Sequence, residues 1–330
     1  VSNVGLLVVN FGGPRNLEEV PSFLQSLLGD EELIRSRWFM PDWIRKPFFA
    51  HVAKKRTPFL LKEYTAIGGK SPIYEDTEAF AQKLGRKLSL PTLTFHRYLA
   101  STHKTFIQTL EQLPWKKILV FPLFPQFCYA TTGSIAKWFM QSLSPSLVDR
   151  MLWVRSYANS PPYIDVCVRS LREWIQEKSL AEEALFLLFS AHGVPKAFVR
   201  EGDPYQEECI ASFKAICQAF PKARSLLAYQ SKFGKGAWLE PSTVQICQTF
   251  ASRVSTDKSA LLVPLSFSSE HIETLFELEG YAALLRSLGY IAHRCPTIGC
   301  REDFVTAASN ILQTAVFAST KSLIRCEQRH

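Results

Sequence analysis

The sequence predicts an α/β protein with two parallel sheets, each of four strands with helices on both faces. Two patterns carry this reading. Eight short apolar runs of branched and aromatic residues alternate with segments of helical period. Midway, Ala158-Asn159-Ser160-Pro161-Pro162 breaks the alternation and reads as a linker, leaving four strands on either side. A chain of 330 residues is long enough for two domains of ordinary size.

The strands are expected near Leu6–Val9, Leu93–Tyr98, Ile118–Pro122, Met151–Val154, Leu185–Phe189, Ser225–Ala228, Leu261–Leu265 and Tyr290–Arg294. Helical spacing marks Thr77–Leu88, Phe106–Leu113, Tyr163–Glu177 and Tyr205–Ala219. A 47% hydrophobic content makes the chain globular rather than disordered. No apolar run approaches the roughly 18–20 residues of a spanning helix. The opening VSNVGLLVVNFGGP lacks a basic flank, so it reads as a first strand and not as a signal peptide.

Net charge is +8 and the isoelectric point is near 9.0. That balance suits an anionic small molecule, a membrane surface or a nucleic acid. The basic residues are scattered and form no nucleic-acid motif, so no nucleic-acid partner is expected. Eight cysteines without a CxxC pair read as reduced thiols of a cytoplasmic protein. Cys295 and Cys300 are the only close pair near other candidates, and they lack the matched second pair of a zinc or iron–sulfur site.

The first strand closes on Asn10-Phe11-Gly12-Gly13-Pro14, which serves a tight turn or a close approach to a ligand. Between Arg35 and Ala50, Trp38, Phe39, Met40, Trp43, Ile44, Phe48 and Phe49 interleave with Arg35, Arg37, Arg45 and Lys46. This fits an interfacial membrane contact, a lip over a flat apolar ligand, or a core-facing helix. Lys54-Lys55-Arg56-Thr57-Pro58 is either solvated surface or a partner for substrate carboxylates. Tyr64 and Ile67-Gly68-Gly69-Lys70-Ser71-Pro72 follow with a second glycine turn. Phe124 to Ser134 adds hydroxyls and aromatic surface beyond the third strand.

The fifth strand ends in Ser190-Ala191-His192-Gly193-Val194-Pro195. A histidine there is either a hydrogen-bonded structural residue or an imidazole aimed off the sheet edge by the turn behind it. Tyr229-Gln230-Ser231-Lys232-Phe233-Gly234 and Trp238 leave the sixth strand. After the seventh, Ser268 and Ser269 offer N-cap hydroxyls. A helical period then puts Glu270, Glu273, Thr274 and Glu277 on one ridge, with His271 beside them. The ridge is either a solvated first turn or a ligand face. Asn10, His192, Tyr229 and Glu270 are all expected just past strand carboxyl ends, where open α/β sheets bind ligands. Imidazole beside carboxylate suits proton transfer near neutral pH and a divalent metal such as Fe²⁺. There is no GxSxG elbow, P-loop or HExxH.

NFGGP, KRTP, YTAIGGKSPI, FPQFCYATTGS, SAHGVP, REGDPY, YQSKFG with Trp238, and VPLSFSSEHIETLFELE together resemble the ferrochelatase family, in order and spacing, over nearly the whole chain. The resemblance implies insertion of Fe²⁺ into a porphyrin, protoporphyrin IX or coproporphyrin III, with release of two protons. It implies two Rossmann-like halves at 1–158 and 159–305, with a C-terminal helix over 306–330 packing back on the first. By position, His192 matches the active-site histidine that binds metal or takes a pyrrole proton, and Glu273 its carboxylate partner. Glu270, His271 and Glu277 match an acidic proton or metal path, and Phe11, Arg56, Tyr64, Ser71 and Trp238 match porphyrin-binding positions. Tyr129 stands where some members carry an upstream cluster cysteine, and Arg325 to His330 holds no cysteine cluster, so no iron–sulfur cluster is expected. Phe124 replaces a tyrosine near the outer metal entry. Peripheral contact with the inner membrane surface is a further expectation. The rivals are a non-catalytic tetrapyrrole or metal carrier, against which the acidic path speaks, and a cobalt chelatase, against which the long lip and EHIETL speak.

Overall fold

The computed structural model describes residues 3–34, 41–232, 236–250 and 259–325. Arg35, Arg37, Trp38, Phe39 and Met40 of the expected lip lie outside the described residues, as do Phe233, Gly234 and 326–330.

All eight expected strands form, in two parallel four-stranded sheets. The first contains β1 (Val4–Asn10), β2 (Thr92–His96), β3 (Lys117–Pro122) and β4 (Met151–Trp153) in the order β2-β1-β3-β4. The second contains β5 (Leu185–His192), β6 (Arg224–Gln230), β7 (Ser259–Pro264) and β8 (Ile291–Arg294) in the order β6-β5-β7-β8. The order is the same in both, with the first strand of each set paired on both sides. The sequence explains this placement. Leu6, Leu7, Val8 and Val9 of β1, and Leu187, Leu188 and Phe189 of β5, are fully buried. An unbroken apolar run is what a strand covered by helices on both faces requires.

The chain divides into two compact units, Val1–Ser156 with Ala308–His330, and Tyr157–Ala307. In the first, Trp153 pairs with Ala318 in an isolated antiparallel bridge, and its indole donates to Thr320 Oγ1 at 2.9 Å. Leu323 is buried in the same core as Phe139 and Trp153. In the second, Phe186, Leu188, Phe250, Ala260, Leu262 and Leu278 form the matching core. Pro161 and Pro162 start the helix Pro161–Glu177, where proline's fixed φ suits a first turn, so the predicted linker is partly helical.

Two expectations change. A 3.6-residue helix carrying Glu270 is not what forms. Glu270 precedes the helix, and Glu273–Leu278 is a π-helical turn that runs on into Glu279–Ser287. The wider turn moves residues off the ridge that α-helical spacing draws. At its start, the His271 amide donates to Thr274 Oγ1 at 3.0 Å. Tyr229 is also misplaced by the sequence reading. It lies inside β6 and is 4% exposed, because the strand runs on to Gln230. Among the described residues no helix is long and apolar enough to cross a membrane.

Candidate functional site

His192 is the last residue of β5. Its main chain is held on both sides: its amide donates to Ser266 Oγ at 2.9 Å, and its carbonyl accepts from the Tyr205 hydroxyl at 3.0 Å. The next residue must be glycine. A Cβ on Gly193 would sit 2.7 Å from the Gln230 carbonyl oxygen, which the Gly193 amide already contacts at 2.8 Å. The strand can therefore leave the sheet there with the imidazole still at its edge.

The π turn brings Glu273 to this imidazole, with His192 Nε2 3.4 Å from Glu273 Oε1. On the other carboxylate oxygen, Oε2, His271 Nε2 lies at 3.9 Å. His271 Nδ1 is 3.1 Å from the Ser269 carbonyl, so Nδ1 carries the proton and Nε2 presents a lone pair. Among the described residues none donates a hydrogen bond to Glu273 Oε2, which is buried. Two acceptors thus face each other with no donor on Oε2, an arrangement that favours a proton or a cation.

Charge follows from this geometry. Burial works against a charged His192, but the Glu273 carboxylate and its hydrogen bond outweigh it and raise the imidazole pKa. Burial likewise works against a charged Glu273, yet the His192 imidazolium and the Ser231 hydroxyl hold it below the usual carboxylate range. Burial lowers the His271 pKa despite its acidic neighbours, in keeping with a neutral ring. Without a ligand, the pair is imidazolium and carboxylate at neutral pH.

The other acids are more firmly tied. Glu277 accepts from the Ser231 amide at 3.0 Å, from the Ser231 hydroxyl and from Tyr281 at 2.6 Å. Glu270 accepts from Arg294 at 2.8 Å, from the Thr297 amide at 3.0 Å and from Thr274. Among the described residues no group of three or more His, Cys, Asp or Glu side chains is placed to hold a metal ion. Cys295 is buried, and burial pushes its thiol pKa up.

In the other unit, Gly12 has a φ of +80°, which favours glycine, and a Cβ there would lie 2.9 Å from the His96 Cβ. This turn presents Phe11, half-buried, with its ring edge-on to Tyr98 at 4.4 Å between centroids. Ser71 is buried against the same turn, its amide donating to the Pro14 carbonyl at 2.8 Å. Tyr64 is 1% exposed, whereas Arg56 is exposed on the helix Asp42–Ala66. Trp238, half-buried, forms an isolated bridge with Pro195.

The partners that fix the site carry no motif that marks their role. Gln230 and Ser231 stand in the YQSKFG stretch, and Ser266 in VPLSFSSEH, but only the fold shows what they bond. The same holds for a buried network beside Phe11. Asp30 accepts from Arg97 at 2.8 Å, from Tyr98 at 2.7 Å and from Ser134.

The chain is thus a two-sheet parallel α/β protein with a histidine–carboxylate pair at a strand end. SirB from Bacillus subtilis with Fe3+ superposes with a TM-score of 0.56 at 12% identity, over 94% of both chains. CbiX, the terminal enzyme of sirohaem biosynthesis in denitrifying bacteria, superposes with 0.51 at 12% identity, over 94% of this chain and 99% of that one. The sequence narrows the class. The ferrochelatase family pattern matches residues 3–316. Ferrochelatases of Chlamydia abortus and Chlamydia caviae are each 42% identical, over 97% of this chain and 98% of theirs. That of Chlamydia pneumoniae is 37% identical over 98% and 97%. The chain belongs to the ferrochelatase family.

Proposed function

We propose that the protein inserts Fe²⁺ into a porphyrin, releasing two protons and giving haem. Family membership supports the reaction, and the observation that carries its assignment to residues is the His192–Glu273 contact at 3.4 Å. Both pyrrole protons must leave before the ring nitrogens can hold a divalent metal, and each needs an acceptor. An arriving dication lowers the His192 pKa by the same Coulomb interaction through which Glu273 raises it. The freed imidazole and the carboxylate then serve as metal contact and proton acceptor. Glu273 Oε2 and the His271 lone pair extend the acceptor surface, and Glu277 and Glu270 continue it as an acidic proton or metal path.

Phe11, Arg56, Tyr64, Ser71 and Trp238 are assigned to porphyrin binding. Phe11 and Trp238 are the half-buried rings among them, while Tyr64 and Ser71 are buried. No iron–sulfur cluster is assigned. Tyr129 offers no thiolate, and its ring packs on Phe127 at 5.1 Å and under the Arg325 guanidinium at 4.7 Å. The 1–158, 159–305 and 306–330 division, a cytoplasmic location with peripheral membrane contact, and the absence of a nucleic-acid partner complete the reading.

The test is an insertion assay on the purified protein with protoporphyrin IX and coproporphyrin III, each with Fe²⁺, Zn²⁺ and Co²⁺. Haem formation with Fe²⁺ is expected. No insertion into either porphyrin would refute the assignment, and a response to Co²⁺ without Fe²⁺ would favour the cobalt chelatase.

A further inference from the structure

We infer that Gln230 is a positioning residue for this reaction, one that holds the π turn so that Glu273 faces His192. The inference rests on the function proposed above for that pair. Gln230 is 2% exposed, and a buried primary amide needs partners at both ends. Its Oε1 accepts from Ser190 Oγ at 2.7 Å, and Ser190 Oγ lies 2.8 Å from Thr243 Oγ1. Ser190 and Thr243 are fully buried, so this end of the amide is fixed. The nitrogen must then face the other way. There Nε2 donates to the Glu273 main-chain carbonyl at 3.1 Å and lies 3.4 Å from both Ser231 Oγ and Glu277 Oε2.

The same residue fixes the histidine from its main chain. Gln230 is the β6 partner of His192 in the sheet register, and its carbonyl accepts from the Gly193 amide at 2.8 Å. One residue is therefore tied to both members of the pair, through its backbone on one side and its side chain on the other. A π turn is a rare alternative to an α turn, and an outside donor on its first carbonyl biases the chain toward it. Without that donor the turn can tighten, and each residue in it, Glu273 first, rotates about the helix axis.

The test is steady-state kinetics of Gln230→Met, which keeps the size of the side chain and removes both hydrogen bonds. A misplacement of about 1 Å costs up to roughly 10²-fold in rate, so a fall in kcat of at least about tenfold is expected. KM for porphyrin and porphyrin affinity by fluorescence quenching should stay within about twofold, because the side-chain hydrogen bonds of Gln230 go to Ser190, Ser231, Glu273 and Glu277 and not to a residue assigned to the ring. Ser190→Ala releases only the far end of the amide and should lower kcat by less, in the same direction. In the double variant Gln230→Met with Glu273→Gln, the Gln230 change should cost little further, because the carboxylate it places is gone. Should Gln230→Met not fold, Ser190→Ala and Ser190→Ala with Glu273→Gln carry the same comparison. The inference is overturned by folded variants that keep wild-type kcat, or by losses that multiply independently with that of Glu273→Gln. Absence of insertion by the wild-type protein would instead refute the underlying reaction.

Discussion

At the scale of single residues, His192 and Glu273 are bound by opposite pressures. Burial opposes both charges and their mutual attraction sustains them. In the metal-free protein the His192 imidazole should titrate above its ordinary value of about 6.5, and Glu273→Gln should bring it down, because burial is then opposed only by the more distant Glu277 and a main-chain contact at Gly193. Histidine ring resonances followed by NMR over pH would show this, and an unchanged His192 titration in Glu273→Gln would remove the pairing. The sign for stability follows. A raised His192 pKa gives stabilisation that is complete below the unfolded value and lost as pH rises through the folded one. A lowered Glu273 pKa gives stabilisation complete above its unfolded value and lost as pH falls through the folded one. The pair therefore contributes most between about pH 4.5 and 6.5, the two ordinary values. For catalysis, His192→Ala should cost at least about 10²-fold in single-turnover metallation of pre-bound porphyrin. Glu273→Gln should slow the same step, and the double variant should lose less than the product of the two. Porphyrin binding should survive in all three, and a near-wild-type rate in His192→Ala would remove the mechanism. These two residues were legible through the family resemblance, to which a histidine at the end of a strand adds a local feature of its own. Their partners were not, since Ser266, Tyr205 and Gln230 meet His192 only through strand pairing and helix return.

At the scale of elements, strands were read more accurately than turns. A strand buried on both faces must be apolar along its whole length, so β1 and β5 announce themselves. A π turn has no comparable signature, because ETLFEL is equally compatible with an α-helix until Gln230, Ser231 and Tyr281 are brought against it. The stretch after the helix Val20–Leu28 hid its role for the same reason. Asp30 reads as one acid in a loop, but it is 8% exposed and collects donors from Arg97 and Tyr98 at the end of β2 and from Ser134 at the start of the helix Ser134–Ser142. Asp30→Ala leaves a guanidinium and two hydroxyls short of their acceptor. It should destabilise the protein by about 3 kcal/mol, in the range for one partner removed from a buried charged pair. Tyr98→Phe removes one donor and keeps the ring against Phe11, so about 1.5–2 kcal/mol is expected, the low end for a hydrogen bond to a charged group. Denaturant unfolding followed by near-ultraviolet signal tests both. Equal losses would mean that Asp30 acts only through Tyr98.

At the scale of the whole molecule, two features bear on where the protein works and what it carries. The first is metal content: protein purified without oxygen should contain no stoichiometric iron with sulfide, and finding both by elemental and visible-absorption analysis would overturn the assignment made from Tyr129. The second is the helix Asp42–Ala66. Its sequence marked it as aromatic and basic, but a periodicity argument could not say which side chains stay in water, because two internal prolines and a mixed pattern blur any single face. The fold decides it. Phe49 and Ala53 are buried, whereas Trp43 is 76% exposed, Phe59 68%, Phe48 49% and Ile44 41%. Lys46, Lys54, Lys55 and Arg56 are exposed on the same helix. Exposed aromatics interleaved with cations match a surface that lies at a lipid headgroup boundary, where rings enter the interface and lysines meet anionic phosphates. Anionic vesicles sedimented at low salt should therefore retain the protein, and neutral vesicles should retain much less. Retention should fall as salt rises, because exposed charges are screened beyond about 8 Å at physiological ionic strength. The aromatic part is separable from the ionic part. Burying one large ring contributes about 1.5–3 kcal/mol when complete, so Trp43→Ser with Phe59→Ser should weaken retention by at least about tenfold while leaving its salt dependence in place. Failure of anionic vesicles to retain the wild-type protein at low salt would refute the membrane contact, and retention that ignores the double substitution would place the contact elsewhere on the molecule.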